Sequence, residues 1–318
     1  MNTLDHLSKS TKIVTDTAFF KKIAKYQPTD STTNPTLIFA AIKDPEYKPY
    51  LDEAIAYGQK FNGNLTEKAE QSLDRILFLF GSEILKIVPG RVSVEIDARL
   101  SFDTKKQVEK ARKIVGMFEE AGISKERILI KLATTWEGAQ ACKILESEHG
   151  IHCNMTLIFG FAQIRIAVEA GATLVSPFVG RVTDWFAKNK PEDEEEGYDI
   201  GVECVKEFYS YIKNNGYRTE IMGASFRTVG QILSLTGCDL LTISPSLLEE
   251  LSQMNIVPGV NLKPEVDDSE PEFKDPLIYE AYLWMQNENE CATKLLKDGI
   301  DRFIKDTEDL ENLIIEKL

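Results

Sequence analysis

The sequence predicts an α/β fold, a single (β/α)8 barrel with additional helices, and three observations support this. Eight short apolar runs resemble buried strands, helical patterns separate nearly all of them, and no motif supports a rival sheet. The predicted strands are residues 12–16, 31–34, 92–97, 127–133, 152–159, 172–178, 219–225 and 239–244. Eight strands that alternate with helices are typical of a closed parallel barrel.

The first two strands precede a long helical insertion. Residues 12–16 end on Asp16, and residues 31–34 end on Asn34, directly before a proline. Residues 44–85 carry helical patterns with no strand between them, so we expect additional helices at this point.

Each later strand leads into a helical pattern, and the tail is helical as well. The helices between strands are predicted at residues 104–121, 137–148, 160–169, 198–214 and 226–235. The tail, residues 275–318, follows a predicted loop at 258–273, and its helices are predicted at residues 276–286, 291–304 and 310–318. Because no repeat or linker divides the chain, residues 1–318 are predicted to form one domain.

The main rival fold is an open doubly wound sheet. Its dinucleotide-binding form needs a Gly-x-Gly-x-x-Gly segment after the first strand, because a tight turn must let the backbone approach a pyrophosphate. No such segment follows residues 12–16, so the barrel is the favoured fold.

Composition limits the possible partners and compartment. The net charge of −14 argues against nucleic acid and anionic membranes, and an anionic substrate would need arginines concentrated at its site. The five cysteines are scattered, which is typical of a reduced, cytoplasmic protein. We identify no signal peptide and no apolar run long enough to span a bilayer.

Lys131 is the most informative residue, because it lies within the aliphatic strand 127–133. It alternates with Ile130 and Leu132, so it points into the barrel if those two face the helices. Burial disfavours the ammonium form, and an uncharged lysine amine can form a Schiff base with a carbonyl. The structural alternatives are a lysine that snorkels to the surface and one that is paired with a carboxylate.

The same alternation predicts a polar interior near the C-terminal strand ends. The residues placed there are Asp16, Asn34, Glu95, Lys131, Asn154, Thr156, Ser176 and Ser225. Asp97 and Phe178 are also predicted to face inward, whereas Leu157 is predicted to face outward. Barrel enzymes place their active sites at this end, and a buried polar cluster of this size is costly without a function.

These residue types suit imine chemistry. Glu95 could move protons through a water held by Thr156, and Asp16 could act as the base for a substrate hydroxyl when a carbon–carbon bond breaks. Asn34, Asn154 and Ser176 could then hydrogen-bond substrate hydroxyls. Two structural alternatives remain open: Asp16 could be a helix N-cap, and Asn34 could simply begin a helix.

Two arginines after strands predict an anion site. Arg181 follows a glycine in a predicted loop after residues 172–178, and Arg227 follows Ser225 after the seventh strand. Two arginines and a serine in matching positions could clamp a phosphate, because guanidinium groups bind its oxygens in pairs.

Two other polar segments are interpreted as structural. His149, His152 and Cys153 could suggest a metal site, but no carboxylate-rich motif accompanies them, so no metal is predicted. The acidic run at residues 192–196 is predicted to be the solvated first turn of a helix.

Seven segments, in order along the chain, resemble class I transaldolases of the longer, classical subfamily. They are residues 13–17 (IVTDT), 32–37 (TTNPTL), 94–97 (VEID), 130–138 (IKLATTWEG), 153–157 (CNMTL), 176–181 (SPFVGR) and 223–227 (GASFR). The departures are small: Thr36 replaces a common serine, and Ala139 replaces a larger aliphatic residue.

The resemblance implies a homodimeric (β/α)8 barrel in the non-oxidative pentose phosphate pathway. Such enzymes move a dihydroxyacetone unit from sedoheptulose 7-phosphate to glyceraldehyde 3-phosphate and need no metal or organic cofactor. It implies that Lys131 is the Schiff-base nucleophile, that Glu95 is the acid/base acting through a water held by Thr156, and that Asp16 is the proton acceptor. The residues implied in substrate binding are Asn34, Asn154, Ser176, Phe178, Arg181, Ser225 and Arg227.

Two rival functions are disfavoured. The shorter branch of the same superfamily cleaves fructose 6-phosphate without an acceptor sugar, and it carries glutamine and tyrosine where this chain has Glu95 and Phe178. A non-catalytic phosphosugar-binding barrel would not need Lys131, Glu95 and Asp16 together.

Overall fold

Eight parallel strands close into a barrel in the computed structural model, which describes residues 1–191, 197–263 and 275–318. The strands are β1 Lys12–Asp16, β2 Asp30–Thr32, β3 Val92–Glu95, β4 Ile128–Ala133, β5 Cys153–Ile158, β6 Leu174–Pro177, β7 Glu220–Gly223 and β8 Leu240–Ile243. Each strand pairs with the next along the chain, and β8 pairs with β1. The predicted (β/α)8 barrel is confirmed.

Thirteen α-helices lie in the described residues. They are α1 Thr3–Leu7, α2 Pro35–Ile42, α3 Lys48–Gln59, α4 Leu65–Leu85, α5 Thr104–Glu120, α6 Trp136–Ile144, α7 Phe161–Glu169, α8 Val179–Asn189, α9 Ile200–Asn214, α10 Val229–Ser234, α11 Pro245–Gln253, α12 Tyr279–Glu288 and α13 Glu290–Ile315. The extra helices predicted after the second strand are α3 and α4.

The sequence-based prediction of helices was incomplete. The segments that form α1, α8 and α11 were not recognised as helices, and α2 was considered only as a possible helix start at Asn34. The tail has one continuous helix, α13, where two were predicted. The loop predicted at 258–273 lies only partly within the described residues, and the acidic run at 192–196 lies outside them. Within the described residues, no helix combines the length and apolar composition needed to cross a membrane.

Alternation along the strands separates an outer apolar layer from the barrel interior, as predicted for β4. Ile130 and Leu132 pack in the large cluster between sheet and helices, whereas Leu129 packs in a small interior cluster. The members of that interior cluster are Val14, Leu129, Leu174, Met222 and Leu240. Lys131 therefore shares the inward face of β4 with Leu129.

The inward and outward alternation of side chains fails at the C-terminal ends of β3, β5 and β7. β3 ends at Glu95, so Asp97 does not face inward but caps the turn at residues 98–100 and pairs with Arg99. Leu157 has a φ of 56°, at a register shift in β5, and packs in the cluster that includes α13 residues.

The alternation predicted for β7 was wrong by one residue. Met222 packs in the interior cluster and Ile221 in the outer layer, which is opposite to a series that ends inward on Ser225. β7 ends at Gly223, and Ser225 follows with a φ of 61°. A left-handed residue changes the direction of the chain, so a strict two-residue period cannot continue through it.

Candidate active site

Lys131 lies inside the barrel with its ammonium near a carboxylate. The residue is 4% exposed, and its Nζ lies 3.5 Å from Glu95 Oε2 and 3.4 Å from the carbonyl oxygen of Thr33. The snorkelling alternative is therefore wrong. Strand pairing sets this contact, because Glu95, Lys131 and Asn154 are register partners across β3, β4 and β5.

Glu95 is a buried carboxylate whose proton affinity is raised. Burial raises its pKa from 4.5 to about 7, although the charges of Lys131 and Arg181 oppose that shift. Within the described residues, Glu95 Oε2 and Thr156 Oγ1 are buried polar atoms without a hydrogen-bond partner. A carboxyl group with this pKa can both accept and donate a proton near neutral pH.

Asp16 closes β1 and also faces the lysine. It accepts a 3.0 Å hydrogen bond from Thr32 Oγ1, and burial raises its pKa against the charge of Lys131. The N-cap alternative for Asp16 is not what the structure shows. The short helical turn that follows has Phe19 at its cap position, and its backbone N–H donates to Thr17 instead.

A short hydrogen-bond chain orders the polar residues beside the lysine. Ser176 Oγ donates to Asn154 Oδ1 at 2.8 Å, and Asn154 Nδ2 donates to Ser93 Oγ at 3.0 Å. Asn34 instead caps α2, where its Oδ1 accepts the backbone N–H of Leu37 at 2.9 Å. Asn34 therefore does begin a helix, as the structural alternative stated, and this role uses its side-chain carbonyl oxygen.

The sequence predicts that Arg181 lies in a loop, but the structure places it in the first turn of α8. Its guanidinium carbon is 4.9 Å from the centre of the Phe178 ring. Burial and the nearby charges of Arg302 and Arg227 lower its pKa to about 10. Gly180 allows the start of α8 to approach the backbone of Ser225 closely, because a Cβ at position 180 would lie 2.4 Å from the carbonyl oxygen of Ser225.

Arg227 lies at the exposed rim of the same region. Its Nε and Nη2 donate to Asp184 Oδ2 at 2.9 and 2.8 Å, and its Nη1 donates to Ser225 Oγ at 3.2 Å. The two predicted arginines thus lie close enough for their charges to interact, as a phosphate clamp requires.

Sequence reasoning missed the contribution of α13. Arg302 on this helix acts on Arg181 through its charge, and Asp306 accepts a hydrogen bond from Thr36 at the start of α2. A Cβ on Gly299 would lie 2.7 Å from Leu157, so the helix passes close to the end of β5. No local motif marks such contacts, because they join residues far apart in sequence.

Among the residues that the structure describes, one group of potential metal ligands lies away from this site. Cys142, Glu146 and Cys153 have ligand atoms within 4.8 Å of one another, at the N-terminal end of β5. Glu146 Oε1 already accepts the backbone N–H groups of Cys153 and Thr173, at 2.8 and 2.7 Å. This carboxylate is therefore committed to joining the start of β5 to the residue before β6.

Comparisons with known proteins agree with this geometry. Residues 13–314 match the family model described as transaldolase/fructose-6-phosphate aldolase. A transaldolase of Rattus norvegicus is 49% identical over 319 residues, which cover 99% of this chain and 94% of that protein. A transaldolase of Saccharomyces cerevisiae is 48% identical over 323 residues, covering 100% and 96%. The chain therefore belongs to the transaldolase/fructose-6-phosphate aldolase family.

Proposed function

We propose that this chain is a transaldolase whose Lys131 carries the transferred group as an imine. It moves a dihydroxyacetone unit from sedoheptulose 7-phosphate to glyceraldehyde 3-phosphate, giving erythrose 4-phosphate and fructose 6-phosphate in the non-oxidative pentose phosphate pathway. The observation that carries the assignment of Lys131 is its burial beside Glu95 in an otherwise aliphatic strand. Family membership supports the same reaction.

Imine formation needs proton transfer in both directions. The Lys131 amine attacks the ketone carbon, and the resulting carbinolamine loses water when its hydroxyl is protonated. Glu95 supplies and recovers the proton, since its pKa of about 7 makes both states accessible. Glu95 Oε2 and Thr156 Oγ1 are buried without a hydrogen-bond partner, which supports the proposal that a water held by Thr156 relays the proton.

Cleavage and transfer use the second carboxylate. Asp16 takes the proton of the substrate C4 hydroxyl while the C3–C4 bond breaks, and the electron pair moves into the imine to give an enamine. Erythrose 4-phosphate leaves, the enamine attacks the aldehyde of glyceraldehyde 3-phosphate, and Asp16 returns its proton to the new C4 hydroxyl. Water then hydrolyses the imine, with Glu95 moving the protons, which releases fructose 6-phosphate and restores the Lys131 amine. The raised pKa of Asp16 makes it a stronger base than an exposed aspartate.

The remaining predicted residues bind the substrate. Asn154 and Ser176 hold the dihydroxyacetone part through the hydrogen-bond chain beside Lys131, and Asn34 contributes its amide while capping α2. Phe178 lines the pocket beneath the Arg181 guanidinium. Arg181, Ser225 and Arg227 hold the phosphate, and Arg302 adds positive charge to the same place.

Trapping the imine tests the role of Lys131. Incubation with fructose 6-phosphate and borohydride should add the mass of a reduced dihydroxyacetone unit to the peptide that contains Lys131. An active enzyme whose Lys131 stays unmodified would overturn the mechanism. Release of free dihydroxyacetone without an acceptor sugar would instead indicate the aldolase activity of the shorter branch.

The phosphate clamp is tested by comparing phosphorylated and unphosphorylated donors. Arg227→Ala should lower kcat/KM for fructose 6-phosphate up to about 100-fold more than for fructose, because it removes a charge-assisted contact. Equal losses with the two donors would count against the clamp.

We also propose a cytoplasmic homodimer in which residues 1–318 form one domain. All five cysteines are free thiols, which suits a reducing compartment. Light scattering should give the mass of a dimer, and denaturation should show one cooperative transition. A monomeric mass or two separate transitions would contradict this assembly.

A further inference from the structure

Two buried glutamines occupy the same place after two different strands. The backbone N–H of Phe159 donates to Gln163 Oε1 at 2.9 Å, and the backbone N–H of Arg227 donates to Gln231 Oε1 at 2.8 Å. In both cases the glutamine follows its partner by four residues and lies on the next helix, α7 or α10. Gln163 is 0% exposed and Gln231 is 5% exposed.

Each glutamine holds the backbone two residues after a left-handed residue. Leu157 has a φ of 56° and precedes Phe159 by two residues, and Ser225 has a φ of 61° and precedes Arg227 by two. In the described residues, Gln27 is the one other non-glycine residue with a positive φ. Strained backbone of this kind persists only where surrounding contacts hold it, and these glutamines supply such contacts.

The amide nitrogen of Gln163 joins the ends of β4 and β5. It donates to the carbonyl oxygens of Leu157 at 2.7 Å and Thr134 at 3.1 Å. Thr134 in turn donates from its Oγ1 to the carbonyl oxygen of Thr156 at 2.7 Å. Gln163 therefore connects the strand of Lys131 to the strand of Thr156, just beyond both residues.

Gln231 joins the helix that contains Arg181 to the turn that contains Arg227. Its amide nitrogen donates to Asp199 Oδ2 at 2.8 Å and to Thr183 Oγ1 at 3.2 Å. Thr183 lies on α8 two residues after Arg181, whereas the carbonyl of Gln231 holds the backbone of Arg227. Gln231 therefore connects the helix of one arginine to the turn of the other.

We propose that Gln163 and Gln231 are positioning residues with separate duties. Gln163 sets the alignment of Lys131 with Thr156 and so supports the imine steps. Gln231 sets the spacing of Arg181 and Arg227 and so supports recognition of the substrate phosphate. The inference rests on the proposed function, because it takes the roles of those four residues from it.

The test measures kcat and KM with fructose 6-phosphate and with fructose in two matched variants. Gln231→Met should lower the preference for the phosphorylated donor, expressed as the ratio of the two kcat/KM values, by about tenfold. Gln163→Met should lower kcat with both donors by a similar factor, about tenfold, and should slow borohydride trapping at Lys131. Each variant is the control for the other, since both lose the same buried amide.

Conservative variants separate positioning from folding. In Gln231→Glu the new carboxyl lies beside Asp199, so it should hold a proton and retain one donor and the acceptor for Arg227. This variant should recover most of the donor preference.

If a methionine variant does not fold, Thr183→Val and Gln163→Glu replace it and should give smaller effects in the same directions. Thr183→Val removes one acceptor of the Gln231 amide together with the hydrogen bonds of the Thr183 hydroxyl to Asp199 and Val179. Gln163→Glu, when protonated, keeps one of the two donors of the Gln163 amide.

Two outcomes would overturn the inference. One is a loss of thermal stability with no change in donor preference or kcat, and the other is the same kinetic change in both methionine variants. Arg227→Ala distinguishes failure of this inference from failure of the proposed function. If that variant also leaves donor preference unchanged, the clamp itself is wrong, whereas a normal Arg227→Ala effect places the failure with Gln231.

Discussion

The two ends of the barrel differ in how closely their buried and partly buried charged side chains are paired. At the N-terminal end, Arg91 contacts Asp30 at 3.0 Å and Glu220 at 2.7 Å, and Lys12 contacts Glu220 at 2.7 Å. At the C-terminal end, the Lys131 ammonium lies 3.5 Å from Glu95. The N-terminal charges therefore have partners within 3.0 Å, whereas the buried ammonium and carboxylate in the barrel interior, Lys131 and Glu95, lie further apart.

Glu220 and Glu95 show what this difference does to one residue type. Burial alone would raise the pKa of Glu220, but hydrogen bonds and charges from Lys12 and Arg91 outweigh it and lower the pKa. Burial dominates at Glu95 and raises its pKa to about 7. The N-terminal end thus keeps a carboxylate charged and stabilising, while the C-terminal end keeps a carboxyl group ready for proton transfer.

The largest expected effect is the loss of activity in Lys131→Met. This variant removes the amine that we propose forms the imine, so we expect activity to fall by at least about 1000-fold and borohydride trapping to disappear. Lys12→Met, at the opposite end of the barrel, should keep activity within about twofold. Substantial activity in Lys131→Met would contradict the proposal that the C-terminal end of the barrel carries out catalysis through this lysine.

Glu95→Gln should reduce activity and increase stability. Its raised pKa means that the native protein binds this proton more tightly than the unfolded chain, so ionisation of Glu95 lowers stability as pH rises from about 4.5 to about 7. Glutamine avoids that ionisation, so the free energy of unfolding should rise by about 3 kcal/mol above pH 7. Activity should fall by at least about 100-fold.

Urea denaturation at pH 4.5 and pH 8 measures the stability of Glu95→Gln, and a coupled assay measures its activity. The gain in stability should be small at the lower pH, where the wild-type carboxyl is protonated in the native state and about half protonated in the unfolded chain. A gain of equal size at the two pH values would show that packing, and not ionisation, causes it.

Arg91→Met should reduce stability and leave the chemistry intact. Asp30 is buried, and without Arg91 both it and Glu220 lose a close cation. We expect the free energy of unfolding to fall by about 2 kcal/mol, somewhat less than for a fully buried pair. Lys12→Met, which removes an exposed partner of Glu220, should lose less than about 1 kcal/mol. A large decrease in kcat for Arg91→Met would contradict the division between the two ends.

His152→Gln should give the smallest effect, and the effect should depend on pH. Burial lowers the pKa of His152, but hydrogen bonds to Glu126 and Glu146 outweigh it and raise the pKa. Its stabilising contribution is therefore fully present below about pH 6.5 and is lost as pH rises through the folded-state pKa. Denaturation of the variant should show a deficit below about 1 kcal/mol at pH 5.5, and that deficit should shrink at pH 8.5.

A double-mutant cycle with Glu126→Gln assigns this deficit to the ion pair. The coupling between the two substitutions should be measurable at pH 5.5 and weaker at pH 8.5. A coupling that does not change with pH would show that the contact is not charge-dependent.

Much of the fold could be predicted, because it follows from local periodicity. The eight strands were predicted from short apolar runs that helical patterns separate. The direction of Lys131 came from alternation over a few residues, which is a property of the extended backbone itself. The same argument placed Glu95 and Asn154 beside Lys131, and strand pairing agrees. It was wrong for Leu157 and Ser225, because a left-handed residue interrupts the alternation and nothing local in either sequence announces it.

The sequence by itself determined which strands form the barrel and which residue types line its interior, since both depend on neighbours in the chain. Only the tertiary structure decided how α13 brings Arg302 towards Arg181, and how Gln163 and Gln231 join separate strands and helices. It also decided the pKa of Glu95, because that value depends on burial and on the balance of charges from other strands. These contacts join residues distant in sequence, and local patterns carry no information about such distances.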